Sequence, residues 1–313
     1  MNISEWSQNI LNGNKRSLSR AITEIESETE TGKKILSNIY SSTGRAQIIG
    51  FTGSAGVGKS TLVRAVIKEQ ILRKKKTAVI AIDPSSPFSQ GAILGDRIRM
   101  QDLTNNELVF IRSMASRKGL GGLASSSVNV MNLFDAAGFD VVIIETVGAG
   151  QDEVDIANIA QTTIIVANPS AGDEIQSMKS GLMEIGQIFA VNKSDLPGSD
   201  AALAYINALI SLATNLEWTP ISLKVIARRE QGIKELVDAI DMHQSYLREE
   251  TNWLIHRKEM AKNQVRSLIK SMSYNNLLKI IENNEITDKV ITEVASGVTD
   301  PITAAEIIMG EIS

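Results

Sequence analysis

The sequence predicts an α/β protein, a doubly wound and mostly parallel central sheet flanked by N- and C-terminal helical arms. Three observations predict it. Continuous β-branched runs recur at Gln47–Gly53, Ala78–Ile82, Val141–Ile144, Thr163–Ala167 and Ile188–Val191, which suits strands buried on both faces. Helix-length segments separate these runs, as crossovers between parallel strands require. Beyond about Ile240 the strand signals stop, and Trp253 to Met309 reads as helix with turns near Asn283-Asn284 and Asp300-Pro301.

Taken in order, Ser4 to about Tyr40 carries Ile10, Leu11, Leu18, Ala21, Ile22 and Ile25 at mostly helical spacing, interrupted by the turn signal Asn12-Gly13-Asn14. The organisation expected is a helical arm over residues 1–45, an α/β domain over 46–240 and a helical arm over 241–313. Within the central zone, Ile221 to Lys224 after Trp218-Thr-Pro220 is a candidate last strand with a turn. Arg73-Lys74-Lys75-Lys76 closes the helix that begins after Gly58, where cations suit the negative helix end, and reads as a solvated terminus.

The chain has 313 residues, of which 36 are acidic and 32 basic, giving a formal charge of −4. With 43% hydrophobic and 22% charged residues it lies far from the composition of disordered chains. A pI near 5.5 argues against nucleic acid or an anionic membrane as the main partner. The absence of cysteine excludes disulfides, thiol nucleophiles and Cys-ligated metal centres together. Met1 to Asn12 has neither the basic-then-apolar order of a secretory signal nor the Arg-rich character of a transit peptide, and no run approaches 18 apolar residues. The expectation is a cytoplasmic protein that does not span a membrane.

Chemistry concentrates first in Gly53-Ser54-Ala55-Gly56-Val57-Gly58-Lys59-Ser60-Thr61, a phosphate-loop pattern lying after an expected strand and before an expected helix. Its glycines let backbone N–H groups turn toward phosphate oxygens, and the helix presents its positive end to the same anion. Lys59 supplies a point charge for the β- and γ-phosphates, and Ser60 a hard oxygen ligand for Mg²⁺. The base is read elsewhere. Ile188–Val191 delivers Asn192-Lys193-Ser194-Asp195 at a strand's carboxyl end, where open α/β sheets bind ligands. The Asp195 carboxylate can accept from guanine N1–H and the exocyclic amine, whereas adenine has no N1–H and would leave it unpaired. GTP and GDP are the nucleotides this predicts. Ser222, Leu223 and Lys224 are the candidates for a base-shielding turn.

Three acids could manage a metal ion and the attacking water. Asp83 ends one strand and opens Asp83-Pro-Ser-Ser-Pro87; Asp96 lies in a loop-like stretch rich in glycine and charge; Glu145 ends Val141–Ile144, three residues before Gly148. Each could instead be a helix cap or a surface carboxylate.

These residues resemble the MeaB/ArgK-type GTPases, chaperones associated with methylmalonyl-CoA mutase within the metallochaperone-like group. The resemblance is carried by the phosphate loop, Asp83 to Ser89, Gly91 to Asp96, Arg99-Met100, Phe110 to Ser113, Gly121-Gly122, Ala136 to Asp140, Glu145 to Gln151, Ala171 to Gln176 and Asn192 to Asp195. It implies a phosphate-loop fold in which Lys59, Asp83, Asp96 and Glu145 serve hydrolysis, with Ser60, Asp83, Asp96 and Glu145 around Mg²⁺. It also implies a third switch at Gly172 to Lys179, with Asp173, Gln176 and Lys179 as its polar actors toward the client. A homodimer with a helical C-terminal interface is implied too. The function so implied is a GTP-hydrolysing chaperone gating adenosylcobalamin loading or protection of an acyl-CoA mutase.

Other classes fare worse on residues. A nickel or cobalt metallochaperone needs soft or imidazole ligands, yet the chain offers only His243 and His256. A small-molecule kinase needs an acceptor pocket and a positioned base that the sequence does not display. A non-hydrolysing interaction module is a further alternative of the same standing as the kinase.

Overall fold

The computed structural model describes residues 2–84, 101–116, 125–146, 152–169, 181–214, 216–282 and 285–312. It is divided into two compact units, one built on the sheet and reaching Gln264, the other running from Val265 to the C-terminus.

The first unit opens with three helices, α1 (Ile3–Leu11), α2 (Lys15–Glu26) and α3 (Glu30–Ile39). Their ends follow from local chemistry. Asn2, Asn14 and Thr29 each accept a backbone N–H from the first turn of the helix they cap, and Gly13 at φ 73° supplies the left-handed residue between α1 and α2. The Asn-Gly-Asn turn signal is thus one helix stop and one helix start.

The sheet holds β1 (Gln47–Thr52), β2 (Thr77–Pro84), β3 (Val109–Ser116), β4 (Val141–Glu145), β5 (Thr162–Ala167), β6 (Ile188–Val191) and β7 (Ile221–Lys224) in the order β3-β2-β4-β1-β5-β6-β7, every pairing parallel. Its crossovers run through α4 (Lys59–Leu72), α5 (Ser125–Ala136), the short α6 (Asp152–Asp155) and α7 (Leu182–Ile185), and α8 (Ser199–Leu212). After β7 come α9 (Ile233–Arg248) and α10 (Glu250–Glu282).

The two-residue period of the strands divides the core between two faces. Ile48, Ala78, Ile80, Ile82, Val142 and Ile144 join Trp6, Ile10, Leu18, Ile22 and Ile35 of the first three helices and Phe134 of α5. Ile49, Phe51, Val79, Val141, Ile143, Ile164 and Val166 join α4 and α9 on the opposite face. The N-terminal helices therefore share a core with the sheet. Their junction to β1 is fixed by Asp135 of α5, 6% exposed, whose carboxylate accepts the backbone N–H groups of Gly44, Arg45 and Ala46.

Strand β3 is absent from the sequence-based expectation. It lies on the sheet edge, where Phe110, Ile111, Arg112 and Ser113 are only partly buried and Arg112 pairs with Glu26 of α2, so the run lacks the apolar continuity of a central strand. The basic run also differs from a solvated terminus. Arg73 bonds Glu69, Asp238 and Asp241, and Lys75 bonds Asp241, which ties the end of α4 to α9.

In the second unit, α11 (Glu285–Ala295) and α12 (Pro301–Ile312) follow the C-terminal part of α10. Asp300 caps α12 by accepting from the Ile302 and Thr303 N–H groups and the Thr303 hydroxyl, bonds that hold its carboxyl below the usual range, and Pro301 takes the first helical position. No described helix is long and apolar enough to cross a membrane.

Candidate functional site

The phosphate loop leaves β1 at Thr52 and enters α4 at Lys59. Its shape admits no side chain at two points. A Cβ on Gly53, at φ 136°, would lie 2.3 Å from the Val166 carbonyl oxygen, and one on Gly58, at φ 97°, would lie 2.5 Å from the Asn192 side-chain nitrogen. Lys59 is 6% exposed, and its Nζ donates to the Gly53 carbonyl at 2.6 Å and the Ser54 carbonyl at 2.9 Å, which holds the ammonium against the loop. Ser54, Ala55, Gly56 and Val57 form the bend, and Thr61 lies in the first turn of α4.

Glu145 stands beside this loop because β4 pairs with β1 in the register Phe51↔Glu145. The Ser60 hydroxyl donates to Glu145 Oε1 at 2.5 Å, with Glu145 only 4% exposed. A seryl oxygen and a carboxylate meeting at a helix N-terminus make a hard-oxygen donor pair, which fits Mg²⁺. Among the described residues no three His, Asp or Glu side chains gather as a metal cage. Asp83 belongs to β2, whose Ala81 is paired with Glu145, so its backbone stands at the same carboxyl end of the sheet. Its side chain lies outside the described residues, as do Asp96, Gly148, Gln151, Asp173, Gln176 and Lys179.

The segment Asn192 to Asp195 leaves β6 and is joined to the phosphate loop by side chains. Asn192, 2% exposed, donates from Nδ2 to the Val57 carbonyl at 2.9 Å, and its Oδ1 accepts from the Ala227 N–H at 3.1 Å. Lys193, in the left-handed region at φ 56°, extends Nζ to the Gly56 carbonyl at 2.8 Å. Ser194 donates from both its N–H and its hydroxyl to the Val225 carbonyl. Asp195 Oδ2 lies 3.8 Å from the Arg229 guanidinium.

Ser222, Leu223 and Lys224 sit within β7 itself. The Ser222 hydroxyl donates to Asn207 and Lys224 pairs with Asp200, both partners on α8, while Leu223 packs on the core. The loop that touches Asn192 begins one residue later, at Val225. Sequence reasoning passed over Ala227 and Arg229; the signal available was the Gly232 that ends their loop, whose Cβ would lie 2.5 Å from the Lys224 carbonyl.

Among the described residues, the two histidines join no group of three His, Asp or Glu that could hold a metal ion. His243 Nδ1 lies 2.8 Å from the Thr162 hydroxyl, its ring is packed by Trp218 and Tyr246, and burial pushes its pKa down to about 4. Burial lowers that of His256 as well.

The glycine-bounded loop after β1 and the Asp195 carboxylate after β6 thus stand at the carboxyl end of one parallel sheet, the arrangement of a phosphate-loop GTPase. Residues 18–285 match the family model described as methylmalonyl Co-A mutase-associated GTPase MeaB, and the chain belongs to that family. A Pyrococcus abyssi protein named for GTPase activity is 39% identical, with 99% of this chain and 97% of that protein covered. The Escherichia coli GTPase ArgK is 37% identical over 76% of this chain and 75% of its own length. The solved structure of an LAO/AO transport system kinase superposes with a TM-score of 0.75 at 26% identity, covering 99% of this chain and 97% of that one. The activity of the present chain is GTP hydrolysis, with GTP and GDP as its nucleotides.

Proposed function

We propose that this GTPase is a chaperone for an adenosylcobalamin-dependent acyl-CoA mutase, with methylmalonyl-CoA mutase as the first client to consider, and that hydrolysis gates loading or protection of the cofactor in that enzyme. The observation that carries the mutase assignment is membership of a family described by association with methylmalonyl Co-A mutase. In this reading Asp195 accepts from guanine N1–H and the exocyclic amine, Asn192 and Lys193 brace the phosphate loop, and Lys59 stabilises charge growing on the γ-phosphoryl group. Ser60, Asp83, Asp96 and Glu145 hold Mg²⁺, which when bound neutralises charge on the phosphate oxygens. Lys179 conveys the client's presence to the site.

The protein works as a cytoplasmic homodimer through the helical segment 241–313. In support, Val265, Ile269 and Met272 of α10 are exposed at spacings of four and three, an apolar stripe of the kind that helices bury against a second chain. The test is GTP turnover by the full chain with and without purified methylmalonyl-CoA mutase. Turnover rises on mixing, and Lys179→Ala removes that rise. No acceleration by any acyl-CoA mutase would remove the chaperone assignment while leaving GTP hydrolysis intact.

A further inference from the structure

We infer that Glu230 is a positioning residue for base recognition, acting through Lys68 on the loop that presents Ala227 to Asn192 and Arg229 to Asp195; the inference rests on reading Asp195 as the guanine acceptor. Residues 226–231 form a closed loop. Ile226 and Gln231 exchange backbone hydrogen bonds at 3.0 and 3.3 Å, so the four residues between them move as one piece. Three of those four face the nucleotide machinery. Ala227 N–H orients the Asn192 side chain, the Arg229 guanidinium lies 3.8 Å from Asp195, and the Glu230 carboxylate lies 2.5 Å from Lys68 Nζ on α4.

Glu230 adopts φ 56°, a left-handed conformation that glycine or asparagine takes more readily than glutamate. A glutamate there accepts backbone strain, and its carboxylate reaches the helix that begins at Lys59. The pair is also not isolated. One turn earlier on α4, Arg64 makes a two-pronged contact with Asp102 at 3.1 and 2.5 Å, and Arg64 and Glu230 attract one another. Two cations one helical turn apart thus alternate with two acids from separate segments. Networks of this kind are where exposed ion pairs retain measurable strength. The base-reading loop is thereby referenced to the helix that carries the phosphate-binding lysine, so base and phosphate subsites keep a fixed spacing.

The experiment measures displacement of a fluorescent GDP from the full chain, together with competition by unlabelled GDP and IDP, which differ by the exocyclic amine that Asp195 accepts. Glu230→Gln, which keeps volume, and Lys68→Met each speed GDP release about fivefold, the factor an exposed pair at the top of its range supplies, and narrow the GDP-over-IDP preference. The charge swap Lys68→Glu with Glu230→Lys restores both quantities to within about twofold, which loss of general stability would not do. Wild-type release and preference in Glu230→Gln, in a protein where Asp195→Ala still abolishes the preference for guanine over adenine, overturns the inference alone. If Asp195→Ala leaves guanine preference intact, the base assignment fails and the inference falls with it.

Discussion

The two halves of the proposed nucleotide site are held by different physics. On the phosphate side the shape is steric: Gly53 and Gly58 occupy conformations and spaces that exclude a Cβ, and Lys59 bonds carbonyls of its own loop. On the base side the shape is assembled from distant segments. Asn192 reaches 135 positions back to Val57 and Ala227 reaches 35 positions back to Asn192, while Asp195, Arg229, Glu230 and Lys68 meet as partly exposed charges. A steric subsite resists an added Cβ, most of all at Gly53, where the obstacle is the Val166 backbone and not a side chain as at Gly58. One assembled from long-range polar contacts is adjustable, and each contact contributes a modest factor.

Substitutions on each side sharpen or break that contrast. The largest effect belongs to Lys59→Ala, expected to lower GTP turnover by about 10²–10³-fold, the scale of losing one electrostatic stabiliser in a preorganised site. Single-turnover hydrolysis at saturating GTP checks it, and wild-type turnover would remove Lys59 from the chemistry. Next comes Asp195→Asn. It costs about 1–3 kcal/mol of GTP binding, because an amide N–H₂ replaces an oxygen that accepted from guanine and leaves a guanine donor unpaired, and it moves preference toward xanthine nucleotides, whose carbonyl accepts where guanine donates. Competition between XTP and GTP reads the change directly. Smallest is Gly58→Ala, which adds a left-handed alanine and a contact with Asn192 at a cost of about 1–2 kcal/mol. It should weaken GDP binding about tenfold or more in a calorimetric titration; unchanged binding would mean that the phosphate loop relaxes as freely as the base loop, and the contrast would be lost.

The same contrast explains what could be read in the sequence. Central strands were legible because burial on both faces forces continuous apolar runs, as in Ile48 to Phe51 and Val141 to Ile144. The phosphate loop was legible because its backbone conformations demand glycine at fixed spacing. Edge strand β3 was not, since Arg112 and Ser113 interrupt its apolar pattern. Nor was the loop at Val225: Val225-Ile226 prolongs the strand-like run of β7, and its link to Asn192 is made by a backbone N–H, which any residue but proline carries. Lys179 was named only through family resemblance, because nothing in the local sequence distinguishes a working charge from a solvated one.

The carboxylate of Asp135 bears on how this chain is made and how it can be cut. Its three donors come from residues about 90 positions earlier, so the N-terminal helices emerge from the ribosome long before the acid that anchors them. At synthesis rates of about 5–20 residues per second, that interval is on the order of five to twenty seconds, during which the sheet that Trp6, Ile10 and Leu18 cover still lacks β4, the strand between β2 and β1. A shortened protein beginning at Gln47 would meet the converse difficulty, since it would lose all three backbone donors described for that carboxylate and uncover the apolar face that Trp6, Ile10 and Leu18 cover. The first 45 residues are therefore a poor place to trim, and any dissection of the GTPase should keep them.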